Sequence, residues 1–336
     1  MINTSKLHKT PYQHQGRWLV LIDFNGYDLE CFEALLNCLP DLKAVILHNA
    51  PELICQLIKN KPHIIDGGDF DNLTDLDQES WAGVILGTKI DLSDLDTLSL
   101  TKLRLKSTPV YHMCDMWESL WSKLPPYLLD GHWFVANSRF QDVNSLRIKR
   151  LMDGLISILL LIFLFPLLLL VAAAIKLDSP GKIFYSQLRT GKNGKPFKVY
   201  KFRSMHENAE KGGAQWASLR DNRITRSGYW LRILRIDELP QLWNVLKGEM
   251  SLIGPRPERP EFDAKLKEVI PYYELRYLIK PGISGWAQVL YRYGASVEDS
   301  YEKLAYDLYY IKNYSLWLDL VIFFKTIAVV LGGNGR

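Results

Sequence analysis

Two adjacent carboxylates, Asp237 and Glu238, stand in the run LRILRIDELPQLWNVLKG at 231–248, just after Arg232 and Arg235. A carboxylate acts as a nucleophile when its surroundings keep it ionised and exposed, and the start of a helix does both. Leu239, Leu242, Val245 and Leu246 have helical spacing and Gly248 is a stop signal. The pattern therefore predicts Asp237 at or near the N-cap, with Glu238 and Pro240 in the first turn. Neighbours on a helix point about 100° apart, so the two carboxylates are expected to divide their roles. Plain capping is the competing reading, because Asp is among the commonest caps.

Cations follow the same logic. The run SQLRTGKNGKPFKVYKFRSM at 186–205 reads as a basic hairpin turning at Gly191 and Gly194. Strand alternation puts Phe197, Val199, Lys201 and Arg203 on one face, so Lys201 and Arg203 project together as a candidate phosphate clamp. A solvated basic strand beside a membrane is the alternative. In MSLIGPRPERP at 250–260 the prolines hold Arg256 and Arg259 in a rigid extended loop, a pattern that suits anion recognition. The turn KPGISGWAQ at 280–288 offers Trp286 and Gln288 to stack on and hydrogen-bond a base or sugar, although such a Trp is more often core. No GxxxxGK followed by Ser or Thr is present, and no HExxH or Ser/His/Asp spacing. This argues against ATP-driven phosphoryl transfer and against the common hydrolases.

These residues need elements to carry them. Residues 155–175 are 21 positions without a charge, long enough at 1.5 Å per residue to cross a hydrocarbon core of about 30 Å. Pro166 sits at the middle, and both flanks are basic: Arg147, Lys149 and Arg150 before, Lys176, Lys182 and Arg189 after. Charge therefore sets no orientation. One solution is a helix broken at Pro166 that dips into one leaflet and returns; a plain spanning helix with a tolerated proline is the other. The apolar run at 316–331, interrupted by Asp319 and Lys325, reads as an interfacial helix or one packed on the membrane-facing side, with a buried core helix as the rival.

The first 145 residues differ in kind. They carry 12 Lys and Arg against 19 Asp and Glu, a net −7, whereas 146–336 carry 29 against 18, a net +11. A basic half points to an anion, whether nucleic acid, anionic lipid or phosphorylated substrate. In the acidic half, β-rich runs at 18–23, 43–48, 63–66, 84–86 and 110–112 alternate with helical runs at 28–39, 52–59 and 115–124. That rhythm predicts a doubly wound parallel sheet, an α/β fold. The first strand-to-helix turn, Phe24-Asn25-Gly26-Tyr27, lacks GxGxxG, and Asp66 and Asp69 would repel a pyrophosphate, so a cofactor is not expected there. The four cysteines, Cys31, Cys38, Cys55 and Cys114, show neither CxxC nor ligand spacing and read as small core residues of a reduced protein. A hydrophobic share of 48% with mean hydropathy near zero fits a folded chain rather than a polytopic membrane protein, and the polar first 16 residues do not read as a signal peptide.

Taken together, Lys149-Arg150-Leu-Met-Asp153, the proline-bearing apolar run, Asp178-Ser-Pro-Gly181, Lys201-Phe-Arg-Ser-Met205, Asp237-Glu-Leu-Pro-Gln241 and Gly254-Pro-Arg-Pro257 resemble the bacterial polyprenyl-phosphate sugar-1-phosphate transferases, the monotopic phosphoglycosyl transferases. The resemblance covers about 146–336. The patterns RPERPEF at 256–262, YGAS at 293–296 and YDLYYIK at 306–312 resemble the exopolysaccharide branch. It implies that Asp237 and Glu238 are catalytic: Asp237 attacks the sugar-bearing β-phosphorus of a UDP-sugar, UMP leaves, and undecaprenyl phosphate takes the phosphosugar from the covalent enzyme. A pyrophosphate is a polyanion, so an anionic nucleophile needs Mg²⁺, expected on Asp237 and Glu238, and a cationic clamp, expected from Arg232, Lys201, Arg203 and Arg256. Gln288 is expected to contact substrate. The resemblance also implies a re-entrant helix at about 151–176 and a catalytic domain on the cytoplasmic face of the inner membrane. Arg235 stands where many members carry a small Ser or Thr, and the several transmembrane helices of longer relatives have no counterpart here.

The expected organisation is thus a Rossmann-like regulatory or dimerising domain at 1–145, with a homodimer as one assembly open to it, and a membrane-anchored α+β catalytic domain at 146–336. Two other readings compete with a transferase: a nucleotide-sugar pyrophosphatase using water, and a non-catalytic membrane-bound sensor or scaffold. Nucleic acid is disfavoured, because the cations are interleaved with apolar membrane-facing runs.

Overall fold

In the computed structural model the chain forms two compact units, Met1–Ala136 and Asn137–Arg336. The structure describes residues 16–22, 27–39, 41–48, 61–76, 79–88, 90, 97–129, 143–207, 209, 221–291, 294 and 296–332.

The first unit is built on strands β1 (Arg17–Ile22), β2 (Lys43–His48), β3 (Ile64–Gly68), β4 (Gly83–Leu86) and β5 (Val110–His112). All pairings are parallel and the spatial order is β3-β2-β1-β4-β5. The runs WLVLI and AVILH are buried almost end to end, as strands covered on both faces must be. Side-chain alternation divides β1 between two cores. Trp18, Val20 and Ile22 pack with Phe32 and Leu35 of α1 (Tyr27–Cys38); Leu19 and Leu21 pack on the other face with Leu73 of the single-turn α2 (Leu73–Leu76) and Leu103 of α3 (Thr97–Leu105). Helix α4 (Met113–Trp121) joins the first core through Met113, Met116 and Trp117, and it opens on a His112–Asp115 capping box. Asp66, the last residue of the β-rich run 63–66, lies inside β3, where its carboxylate takes bonds from His48 and the Gly68 N–H. Cys31 and Cys114 are buried and form no disulfide. The helix expected at 52–59, the turn at 24–26 and Cys55 lie outside the described residues.

The second unit begins with α5 (Val143–Asp178), 36 residues long. Its stretch Ser145–Asp178 is long and apolar enough to cross a membrane, and most of it is exposed, Phe163 to 81%. Pro166 does not end the helix. A proline removes its own N–H bond and crowds the carbonyl four residues back, but the ladder resumes beyond it, so the expected break is no interruption of the helix. Three residues of its first turns are spent on tethers. Lys149 pairs with Asp319, Arg150 donates to the carbonyls of Val245 and Leu246, and Asp153 accepts from Ser251 Oγ and the Leu252 N–H.

The hairpin is present as antiparallel β6 (Phe184–Thr190) and β7 (Pro196–Phe202). Then come α6 (Arg226–Ile233), a 3₁₀ turn at Ile236–Glu238 and α7 (Gln241–Lys247), which stops at left-handed Gly248. Short parallel strands β8 (Ser251–Ile253) and β9 (Gly282–Ser284) flank α8 (Pro260–Val269) in sequence, and α9 (Trp286–Leu290), α10 (Val297–Lys312) and α11 (Leu316–Leu331) follow. Helix α11 is not a core helix. Only Ile322 is buried, while Trp317, Phe324 and Leu331 are exposed, and Asp319 points inward to Lys149 and Tyr310.

Candidate functional site

Asp237 is not the N-cap of α7. The cap position is Pro240, and Asp237 and Glu238 occupy the 3₁₀ turn before it, entered through Arg235 in the left-handed region at φ 53°. A non-glycine residue held there costs of the order of 1 kcal/mol and marks a turn that its surroundings impose. Neither carboxylate caps a helix.

Their environments differ sharply. Glu238 is 6% exposed, and its Oε1 accepts from Lys201 Nζ at 2.8 Å and Arg256 Nη2 at 2.6 Å, while Oε2 accepts from Arg256 Nη1 at 3.4 Å. Arg235 stands 4.0 Å from Oε2. Burial alone would raise its pKa, yet Arg256 and Lys201 outweigh burial and hold Glu238 well below the usual carboxylate range. Asp237, 9% exposed, has no hydrogen-bond or ion-pair partner among the described residues. Burial first, and then the negative Glu238 beside it, push Asp237 up to about 6; Lys201, Arg232 and Arg256 pull the other way. Lys201 is itself lowered by burial, against the attraction of Glu238. One carboxylate is therefore locked and neutralised, and the other is left free with an easily exchanged proton.

The surrounding residues aim the cations. Asn244, fully buried on α7, donates to the Lys198 carbonyl and accepts the Tyr200 N–H, which pins β7 beside the 3₁₀ turn and brings Lys201 to Glu238. Arg189 on β6 donates to the Pro257 carbonyl and to Glu258, and Arg276 donates to the Arg256 carbonyl while pairing with Asp307. The Arg256 loop is thus held from both sides. Gly254 and Gly282 let β8 and β9 approach; a Cβ on Gly282 would run into the Gly254 backbone.

Of the expected site residues, Asp237, Glu238, Lys201, Arg256 and Arg232 converge. Arg203 does not. It lies just beyond the end of β7, buried, and donates to the carbonyls of Ile175, Ser179 and Pro180 and to Ser179 Oγ. The exposed carbonyls at the C-terminal end of α5 draw the guanidinium away from Lys201. Gln288 donates to the Ile283 carbonyl and its own oxygen is buried without a partner, while Trp286 is core, stacked on Tyr309. Arg189, Arg235, Asn244, Arg276 and Asp307 were not singled out as site residues. Asp307 did stand in the quoted run YDLYYIK, the one sequence signal that marked it.

For Mg²⁺, no cluster of three or more His, Cys, Asp or Glu side chains occurs among the described residues. Mg²⁺ keeps several waters and takes one or two carboxylates plus substrate phosphates. The free carboxylate of Asp237 fits that pattern, whereas Glu238 is already engaged by two cations.

Similarity to known proteins coincides with this geometry. A 236-residue stretch is 46% identical to the UDP-N-acetylgalactosamine-undecaprenyl-phosphate N-acetylgalactosaminephosphotransferase of Aeromonas hydrophila, covering 70% of this chain and 55% of that protein. The undecaprenyl-phosphate glucose phosphotransferase of Komagataeibacter xylinus is 48% identical over 185 residues, 53% of this chain and 35% of that one. The exopolysaccharide production protein PSS of Rhizobium leguminosarum is 42% identical over 190 residues, 55% of this chain and 95% of that one. The chain thus spans about half or less of the first two relatives. The sequence profile described as bacterial sugar transferase matches residues 144–333, more than half of the chain and the whole of the site, and the chain therefore belongs to the bacterial sugar transferase family.

Proposed function

We propose that this chain is a membrane-associated phosphotransferase that moves a sugar 1-phosphate from a UDP-sugar to undecaprenyl phosphate, releases UMP, and so initiates an exopolysaccharide or related glycan. The observation that carries the reading is the split between a locked Glu238 and a free Asp237 inside a ring of cations. In the first step an Asp237 carboxylate oxygen forms a bond to the β-phosphorus, and the bond from that phosphorus to the bridging oxygen breaks. Its electron pair leaves on UMP. In the second step a phosphate oxygen of undecaprenyl phosphate attacks the same phosphorus, and the Asp237 oxygen leaves as a carboxylate. Lys201, Arg232 and Arg256 supply positive potential to a polyanionic substrate; Glu238 fixes Lys201 and Arg256 and keeps their charge from being a pure repulsive cost. Mg²⁺ bound through Asp237 and substrate phosphates would add charge neutralisation of the diphosphate.

A donor and an acceptor headgroup met on one face of the membrane imply a re-entrant α5 with both flanks cytoplasmic. Support comes from its tethers. A straight helix from Arg150 to Ser179 would rise about 43 Å, whereas Arg150 reaches Val245, Asn244 reaches Tyr200, and Arg203, three residues on from Tyr200, reaches Ser179. The first unit is read as a Rossmann-like regulatory or dimerising module, supported by five parallel strands whose order reverses beside β1. The relatives' names divide between glucose and N-acetylgalactosamine, so the sugar is an experimental question.

The test is UMP release from a panel of UDP-sugars by detergent-solubilised protein, with and without undecaprenyl phosphate and Mg²⁺. Lipid-dependent release that disappears in Asp237→Asn is the expected result. Free sugar phosphate appearing equally fast without lipid would instead make the protein a pyrophosphatase.

A further inference from the structure

A second anionic site lies away from the carboxylate pair. A cavity of about 690 Å³, within the range of small-molecule sites of roughly 300–1,000 Å³, is walled by Leu146 and Leu151 of the first turns of α5 and by Ile253, Leu278 and Ile311. Its interior is apolar, but its charge is one-sided. Arg147, Lys149, Arg150, Lys192 and Lys280 line it, against a single acid, Asp153. That acid is already committed to Ser251 and the Leu252 N–H. Lys149 is taken by Asp319, and Arg150 by two carbonyls. Among the described residues, Arg147, Lys192 and Lys280 have no hydrogen-bond or ion-pair partner. Arg150 and Lys280 crowd the same point beside Gly248, each within 3.5 Å of where a Cβ would stand. Burial, then Arg150 and Lys192, lower the Lys280 ammonium from its ordinary value, the mark of cations gathered without their anion. The Tyr314 hydroxyl, also lining the cavity, is buried without a partner, an unfavourable state that a ligand or water would relieve.

The geometry points to a binding site for one anionic glycerophospholipid, with an acyl chain in the apolar cavity, the phosphate among Arg147, Lys192 and Lys280, and a headgroup or ester oxygen on the Tyr314 hydroxyl. A free phosphate does not account for the apolar walls, and a zwitterionic lipid does not account for the charge. The site is separate from the carboxylate pair proposed to act in transfer, because none of Asp237, Glu238, Lys201, Arg232 and Arg256 lines the cavity. The cavity also sits where a lipid would meet it. Tyr310, Ile311 and Tyr314 lead into α11, whose apolar face is exposed, and the opposite wall is the start of the membrane helix. The site goes beyond the transfer reaction and anchors the catalytic unit to an acidic bilayer.

Native mass spectrometry of the detergent-purified full chain, titrated with phosphatidylglycerol or phosphatidylcholine, tests this without an activity readout. One phosphatidylglycerol should be retained at least tenfold more tightly than phosphatidylcholine. Lys192→Gln with Lys280→Gln should lose at least tenfold of that preference, and Tyr314→Phe should weaken retention severalfold. Asp237→Asn, dead in transfer, should keep the lipid. Lys192 is exposed in the hairpin turn, so Lys192→Gln alone provides a folded variant with an intermediate loss. Equal retention of the two lipids overturns the proposal. So does displacement by millimolar inorganic phosphate, which means a free-anion site, or stoichiometric displacement by undecaprenyl phosphate, which makes this the acceptor site.

Discussion

At the scale of single residues, the site works by giving two neighbouring carboxylates opposite surroundings. In the proposed reaction Asp237 must be ionised to attack, and it is pushed up to about 6. kcat/KM for UMP release is therefore expected to fall about tenfold per pH unit below pH 6, with a plateau above it, in a profile measured at fixed UDP-sugar and lipid. The same shift sets a stability cost. The folded state binds the Asp237 proton more tightly than the unfolded chain, so stability falls as pH rises from about 4 to 6 and the penalty is complete above that window. Asp237→Asn should consequently unfold later than the native protein at pH 7.5, by about 3 kcal/mol, with the difference vanishing near pH 4; a thermal melt at both pH values checks it. Glu238 has the opposite sign, its stabilising contribution being lost only on strong acidification.

At the scale of elements, the residues proposed to do chemistry are placed by residues with no proposed chemical role. Arg203 ties the end of α5 to the hairpin through buried bonds to three carbonyls and a hydroxyl. Arg203→Ala is expected to cost about 3 kcal/mol of stability, measured as a lower denaturation midpoint, while KM for the UDP-sugar in the folded fraction stays within twofold; a large rise in KM would return Arg203 to the substrate clamp. Gly282→Ala attacks the Arg256 loop from behind, since the new Cβ meets the Gly254 backbone. UMP release should drop at least tenfold although Lys201, Glu238 and Asp237 are untouched. The elements themselves were mostly legible in sequence. The five strands of the first unit, the hairpin and the stop at Gly248 follow from local apolar runs and turn residues. The 3₁₀ turn at Ile236–Glu238 was not, because its Glu238 is held by Lys201 and Arg256, both distant in sequence.

At the scale of the molecule, an acidic unit carrying a parallel sheet and a basic unit carrying the dyad share one chain. Two groups of cations in the second unit lie where the proposals above place anions: around Glu238, and around the cavity beside Lys280. If α5 returns to the face it enters, single cysteines placed at Arg147 and Lys182 should both react with a membrane-impermeant thiol reagent only from the cytoplasmic side. Labelling of one of them from outside would mean a spanning helix.

By itself the sequence determined the family, the carboxylate pair, the apolar helix and the strand-helix alternation, because each is written in contiguous residues or fixed short spacings. Only the tertiary structure decided which cations meet Glu238. Strand alternation places Lys201 and Arg203 on one face, but the carbonyls at the end of α5 take Arg203, and Arg256 comes in from a loop 18 residues beyond Glu238. It also decided that Asp237 is free while Glu238 is bound. Burial and charge at a buried carboxylate depend on every group within a few ångströms, and the groups that matter here come from β7, the 3₁₀ turn and the loop after β8, which no local pattern brings together.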